Sequence, residues 1–215
     1  METIRVPSET ARAQHHEFAN CLHTIAGLLE MGMYERASEF IAEVTRARTT
    51  RITLQAQRLR EPLLSALLVG KSAVAAERGV ALRIGPNCHL PHRALVPHDL
   101  MMVLGNLIDN ALDAVAAHPT PEPRVDVDVW AEGDSAVLRV GDNGPGVPAG
   151  ARELMFLEGW STKEPRGGRG AGLAQVRRIS DRYEGTTNVT ERAGSGAVFT
   201  VRLPRALGPG ERTVR

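Results

Sequence analysis

Four short segments hold residue types at spacings that could do chemistry. The first is Asn106-Leu107-Ile108-Asp109-Asn110-Ala111. Asn106 and Asn110 stand four apart, so on a helix they share a face. Asn is mildly unfavourable inside a helix. Two of them aligned beside an apolar stripe suit a polar ligand, such as Mg2+ and phosphate oxygens; a plain solvated face is the alternative. The second segment is Asp142-Asn143-Gly144-Pro145-Gly146, directly after an expected strand. It reads as a turn, or as a carboxylate held at a strand end with flexible backbone behind it. Such a carboxylate can accept a hydrogen bond from an exocyclic amine like that of adenine. The third is Gly167-Gly168-Arg169-Gly170-Ala171-Gly172-Leu173, followed by a helix. Glycines allow close backbone approach, and a helix N-terminus favours an anion, so phosphate binding outweighs a plain flexible loop. The fourth, Gly194-Ser195-Gly196, is by itself a hairpin turn.

Better-known signatures fail. Gly70-Lys71-Ser72 ends like a P-loop, but that motif sets a Gly where Ser65 stands. Gly144-Pro145-Gly146 lacks the third Gly of the dinucleotide fingerprint, Ala149 taking its place. His16-Glu17-Phe18-Ala19-Asn20 misses a zincin site because Asn20 replaces the second His. Cys88, His89 and His92 have no second ligand pair at zinc spacing.

The elements that must position these segments follow from patterning. The chain has 215 residues, 42% hydrophobic and 24% charged, with a formal net charge of +1. That balance argues against a nucleic-acid-binding arm and a polybasic membrane surface. Of its cations, only Lys71 and Lys163 are lysines. Two cysteines, Cys21 and Cys88, make no disulfide framework, which points to a reducing compartment. The longest strongly apolar stretch is expected around Leu63 to Val69, too short to span a bilayer, and the N-terminus has no signal-peptide layout.

Glycine and proline are sparse up to residue 80 and dense beyond it, so helices should give way to a mixed α/β domain. Ser8 is a candidate N-cap. Ala11, His15, Phe18, Leu22, Ile25 and Leu29 then form a heptad seam, and Gly32 ends the helix. A second helix from Tyr34 turns Ala37, Phe40, Ile41 and Val44 inward. One hairpin cannot cover its own apolar stripe, so pairing with a second copy into a four-helix bundle is expected. Beyond it, helices are expected from Pro62 to Arg78, Asp99 to Ala117 and Gln175 to Tyr183. Strands are expected from Val80 to Ile84, around Val125-Val127-Val129, from Ala136 to Val140 and from Val198 to Leu203. From Pro204 onward a loose tail is expected.

In order and spacing the four segments resemble the N, G1, G2 and G3 boxes of the GHKL ATP-binding fold, shared by gyrase-type ATPases and sensor histidine kinases. The resemblance runs from about Pro62 to Pro204, with Phe156 similar to the F box of the ATP lid. The stretch from Ala11 to Leu29, with His15-His16-Glu17-Phe18 at its centre, closely resembles the phosphoacceptor helix of the citrate/C4-dicarboxylate sensor kinases. Those kinases carry a helical hairpin of the sporulation-phosphotransferase type. The implied fold is α+β. Residues 1–61 would form a helical hairpin in a dimeric four-helix bundle. Residues 62–205 would form a GHKL (Bergerat) α/β-sandwich, and 206–215 a loose tail.

The resemblance places the accepting imidazole at His16. His15 lies on the seam, whereas His16 falls on an accessible polar stripe with Asn20, His23 and Gly27. It further implies that Asp142 accepts from the adenine amine, with Gly144 and Gly146 in the same box. Asn110 would ligate Mg2+, and Asn106 would support phosphate or a metal-bound water. Gly168, Gly170, Gly172 and Leu173 would wrap the phosphates, with Lys163 and Arg169 neutralising their charge. Glu17 would orient the His16 tautomer and take its proton, and Asn20 would position water. ATP, Mg2+, a homodimer and a separate response regulator bearing an acceptor Asp are implied, without nucleic acid or direct membrane contact. The location implied is cytoplasmic, as an excised core of a membrane-anchored sensor in preference to a naturally soluble kinase. Competing readings are a phosphotransferase or scaffold of the same fold without ATP turnover, and a GHKL serine kinase; the latter leaves residues 8–60 unexplained.

Overall fold

The computed structural model describes residues 23–44, 56–118, 120, 122–157, 171–192 and 196–209. The chain divides into two compact units, Met1–Ala47 and Arg48–Arg215.

In the first unit, residues 23–30 (α1) are helical and are followed by α2, Tyr34–Val44. Gly32 at φ +69° ends α1. Its N–H donates to the Leu29 carbonyl at 3.0 Å, and that of Met33 to the Leu28 carbonyl at 2.8 Å. This is the paired-bond stop that a left-handed glycine permits. Ala37 is buried and Phe40 half-buried, as the spacing predicts. Leu29, Met31, Met33 and Tyr34 are exposed around the turn. The helix expected from Ser8, including His15 and His16, otherwise lies outside the described residues.

In the second unit, helices α3 (Pro62–Glu77), α4 (Pro97–Ala117) and α5 (Ala171–Arg182) accompany strands β1 (Ala81–Ile84), β2 (Arg124–Glu132), β3 (Ser135–Asp142), β4 (Thr186–Glu191) and β5 (Ala197–Leu203). The described strands form one sheet in the order β1-β2-β3-β5-β4. β1 pairs with β2 in parallel and the other pairs are antiparallel. Pro62 and Pro97 sit in the first turns of their helices, where a missing N–H costs nothing. Glu61 caps α3 by accepting from the Leu63 N–H.

The core follows the two periodicities. Val125, Val127 and Val129 are fully buried on one face of β2, opposite the α4 stripe of Leu100, Val103, Leu104, Leu107, Ile108, Ala111 and Leu112. Each Val, Leu or Ile among them contributes about 1.5–3 kcal/mol on burial. This same burial explains why α4, with a mean hydropathy of 1.4 over an 18-residue window, meets the length and composition of a membrane span. It is the core helix.

Three expectations need correction. α5 begins at Ala171, four residues before the expected Gln175, and so takes in Gly172 and Leu173 of the third segment. β4 was not expected: Thr186-Thr187-Asn188-Val189-Thr190-Glu191 buries only Val189, so its apolar alternation is nearly silent. The tail expected from Pro204 is not loose at its start. Ala206 and Leu207 are buried, Leu207 bridges Ala94, and the Leu207 N–H donates to the Asp134 carbonyl at 2.9 Å.

Candidate nucleotide site

The site is assembled where β3, the turn after it, β5 and the α4–α5 pair converge. β3 delivers Asp142 at its end, 1% exposed. In the register it stands opposite Val125, whose side chain faces the core, so Asp142 lies on the helix side of the sheet. Its Oδ1 accepts from the Gly144 N–H at 2.8 Å and the Ala197 N–H at 3.4 Å. Burial pushes this carboxyl above the usual carboxylate range; the two amide donors and the Arg192 charge act against that. The carboxylate is thereby fixed through one oxygen, leaving Oδ2 for a further donor.

The glycines fit where a side chain would collide. A Cβ on Gly144 would lie 3.1 Å from Asp142 Oδ1 and 3.2 Å from the Ala114 backbone of α4. Gly146 has φ +78° and Gly196 φ +107°. A Cβ on Gly196 would meet the Asp142 carbonyl at 2.1 Å, and one on Gly146 the Gly196 carbonyl at 3.1 Å. The second and fourth segments of the sequence therefore pack backbone on backbone. Beside them Pro145, Gly146, Val147, Pro148, Glu191, Arg192 and Gly196 line a cleft of about 430 Å3.

α5 runs antiparallel to α4. Near one end of the pair, Asp99 accepts from the Tyr183 hydroxyl at 2.6 Å and from Arg182 at 3.3 Å. Towards the other, a Cβ on Gly172 would come 3.0 Å from Asn106 Oδ1. The Asn106 amide nitrogen donates to the Met102 carbonyl at 2.9 Å, which orients its oxygen. Asn110, one turn on, is half-buried on the same face. Leu173 anchors the start of α5 against the core. Phe156, in the turn Leu154–Phe156, meets Phe199 edge-to-face at 6.4 Å.

Among the described residues no group of three or more His, Cys, Asp or Glu side chains could hold a metal ion. Asn106 Oδ1 beside the start of α5, with Asn110 one turn along the same face of α4, instead offers an oxygen-only donor set. That suits a hard cation arriving with phosphates and keeping several waters, as Mg2+ does. Cys88 is not a ligand: its thiol is buried, accepts from the Val129 N–H at 3.2 Å and is pushed up to about 12, chiefly by burial.

Of the residues singled out from sequence, Asn106, Asn110, Asp142, Gly144, Gly146, Gly172 and Leu173 are brought together here. His16, Glu17, Asn20, Lys163, Gly168, Arg169 and Gly170 lie outside the described residues. Sequence reasoning missed Arg192, whose guanidinium reaches Asp126 at 2.6 Å and whose charge acts on Asp142. It also missed the partner of Lys71, which holds both oxygens of Asp109 at 2.6 Å beside Asn110. The rarity of lysine was the available signal for the second; an Arg among many gave none for the first. Asn143 is structural, its amide bonding Arg124 N–H and the Glu122 carbonyl.

Residues 96–207 match the family model described as histidine kinase-, DNA gyrase B- and HSP90-like ATPase. Residues 1–51 match the sensor-kinase SpoOB-type α-helical domain. The chain is 38% identical over 205 residues to sensor protein CitS of Bacillus subtilis (strain 168), an alignment covering 94% of this chain and 37% of that protein. It is 35% identical over 202 residues to a probable C4-dicarboxylate sensor kinase of Halalkalibacterium halodurans, covering 93% and 38% respectively. The chain thus spans well under half the length of these curated relatives. Among solved structures, full-length ShkA in complex with AMPPNP matches with a TM-score of 0.59 and 23% identity, over 95% of this chain and 47% of that one. At that identity the likeness is one of fold.

Proposed function

The chain belongs to the histidine kinase-, DNA gyrase B- and HSP90-like ATPase family, and on that footing we propose that it is the core of a sensor histidine kinase that phosphorylates its own His16 from ATP. The observation that carries the reading is Asp142: a buried carboxylate with one oxygen held by two backbone amides and the other left for a donor. That arrangement suits the exocyclic amine of adenine better than any anionic group. Gly144 and Gly146 keep the floor beneath the base thin enough for stacking.

The triphosphate then runs toward Asn106, Asn110 and the N-terminus of α5, where backbone N–H groups favour negative charge. Asn110 would hold Mg2+, and Asn106 would support a phosphate oxygen or a metal-bound water. A Mg2+ ion held there would supply positive charge against the charge developing on the transferring phosphate. Gly168, Gly170, Gly172 and Leu173 let the preceding segment fold over the phosphates, with Lys163 and Arg169 as its cations. Phosphoryl transfer depends mostly on positioning and electrostatics, so these groups matter more than covalent chemistry.

His16 attacks the γ-phosphorus through a neutral ring nitrogen, a form that dominates near pH 7 for an ordinary imidazole with a pKa of about 6.5. The bond from γ-phosphorus to the bridging oxygen breaks and ADP leaves. Glu17 holds the other ring nitrogen and takes up its proton. Asn20 positions water for dephosphorylation of the partner regulator. The phosphoryl group passes to an Asp of a separate response regulator. Two copies pair through the helical units as a four-helix bundle, which covers the apolar seam. The core works in the cytoplasm, where ATP and regulators are found.

The test is incubation with γ-labelled ATP and Mg2+, with a His16→Gln variant alongside. Label that is lost in acid, survives base and is absent from the variant supports the reading. Label that persists in His16→Gln overturns the assignment to His16. Absence of label despite measurable ATP binding overturns kinase activity for this chain.

A further inference from the structure

The face of the sheet turned away from α4 carries a second cleft, of about 530 Å3, lined by Asn87, His89, Pro91, Asp128, Trp130, Ala131 and Arg139. That volume falls in the range of small-molecule sites, about 300–1,000 Å3. The cleft is separate from the nucleotide site. Asp128 and Trp130 alternate along β2 with Val127 and Val129, which face the helices, whereas Asp142 lies on the helix side.

Its wall is rigid. The segment after β1 continues the sheet edge, His89 bridging Trp130 in parallel and donating its N–H to the Val129 carbonyl at 2.8 Å. His89 Nδ1 lies 3.3 Å from the Arg58 carbonyl, so its ring is tethered. The Trp130 indole N–H is held by Glu132 at 3.0 Å, which fixes the ring on the floor.

Its charges are incomplete. Asp128 and Arg139 stand directly opposite each other in the β2–β3 register. Side chains at such positions have Cβ atoms about 4.5–5.5 Å apart. Yet among the described residues neither closes an ion pair. Asp128 Oδ1 is covered and takes no hydrogen bond, pressed against Gly85, where a Cβ would sit 1.8 Å away. Burial pushes the Asp128 carboxyl up, with Asp126 adding to the rise and Arg139 opposing it. A separated, opposite-charge pair beside a fixed indole is a poor match for a plain anion, which Asp128 repels, or a plain cation, which Arg139 repels.

We propose that this cleft binds a small dipolar molecule of the α-amino acid class, its ammonium on Asp128, its carboxylate on Arg139 and its side chain against Trp130 and Pro91. The site does not depend on the kinase reading, since none of its residues touches the nucleotide machinery.

Trp130 and Trp160 are the only tryptophans of the chain, so Trp160→Phe leaves Trp130 as the reporter. Each proteinogenic L-amino acid is titrated in turn against this variant, followed by the decarboxylated amine and the deaminated acid of the best binder. The expected result is a saturable change in Trp130 emission with at least one amino acid. Both single-charge analogues should bind about tenfold or more weakly, a loss of about 1.4 kcal/mol. Asp128→Asn and Arg139→Gln should each weaken the amino acid by a similar factor while ATP affinity stays unchanged. Arg139 is exposed, so its variant keeps the test valid should Asp128→Asn fold poorly. No saturable response to any amino acid below about 10 mM, a free energy of only about −3 kcal/mol, overturns the proposal. So does equal binding by the single-charge analogues, or affinity unchanged in Arg139→Gln.

Discussion

Replacing Asp142 by Asn tests the nucleotide site at its most specific point. Both backbone donors converge on the same oxygen, Oδ1. An Asn side chain keeps those two bonds only by placing its carbonyl oxygen there. Its NH2 then takes the position of Oδ2 and meets the adenine amine donor to donor. The loss is one hydrogen bond to a charged group, about 1.5–3 kcal/mol, plus the cost of an opposed donor pair. ATP affinity should fall about 30- to 150-fold, corresponding to about 2–3 kcal/mol. Calorimetric titration with ATP and with inosine triphosphate reads this directly, because the inosine base carries a carbonyl where adenine carries the amine. Wild type should prefer ATP, and Asp142→Asn should narrow or reverse that preference. The fold should not suffer. Burial raises the Asp142 carboxyl, so its favourable contribution to stability is present at low pH and fades as pH rises through the raised value. At neutral pH a neutral Asn should melt no lower than wild type, and wild type should gain on it as pH falls. Equal losses for both nucleotides would refute the assignment of Asp142 to the base.

Other expectations are independent of one another. Gly196→Ala, with φ +107° and a Cβ 2.1 Å from the Asp142 carbonyl, should cost about 3 kcal/mol or more in urea denaturation. Gly133→Ala, also left-handed but in open space, should cost only about 1–2 kcal/mol. Gly172→Ala should separate binding from stability. A Cβ 3.0 Å from Asn106 Oδ1 displaces that amide and weakens ATP, while alanine favours the helix by up to about 1 kcal/mol. Cys88, buried and pushed up to about 12, should resist iodoacetamide at pH 8 in the native protein and react on unfolding. Leu207→Ala, at a 2% exposed position, should cost about 2–5 kcal/mol; a loss within error would mean that the segment after β5 contributes nothing.

The legible parts of the sequence were those with strong periodicity. The α4 stripe from Leu100 to Leu112 and the Val125-Val127-Val129 alternation fix a helix and a strand with their buried faces, because burying each side chain is worth more than any local propensity. Pro62 and Gly32 mark a start and a stop through backbone geometry alone. β4 was illegible because it is a half-exposed strand of Thr and Asn held by pairing with β5, a long-range fact. The burial of Ala206 and Leu207 depends on Ala94, a residue far away in the chain. Within the site, Asp142 and the two Asn residues could be found by type and spacing. Arg192 could not, because its effect on Asp142 arises from folding β4 and β5 against β3.

The four sequence segments, each weak alone, gain their meaning from contacts that only glycine permits. Gly196 rests on the Asp142 backbone, Gly146 on Gly196, Gly144 on both Asp142 Oδ1 and Ala114 of α4, and Gly172 on Asn106. Each glycine of one segment is thus the bearing surface for another segment or for α4. The glycines accordingly do more than loosen a loop for phosphates. Gly144, Gly146 and Gly196 close the surroundings of Asp142 into a packed unit, in which Asp142 cannot shift without moving β5. Among the described residues of the third segment, Gly172 bears on the Asn106 amide. Close backbone packing is therefore concentrated around Asp142, the carboxylate proposed to meet the base.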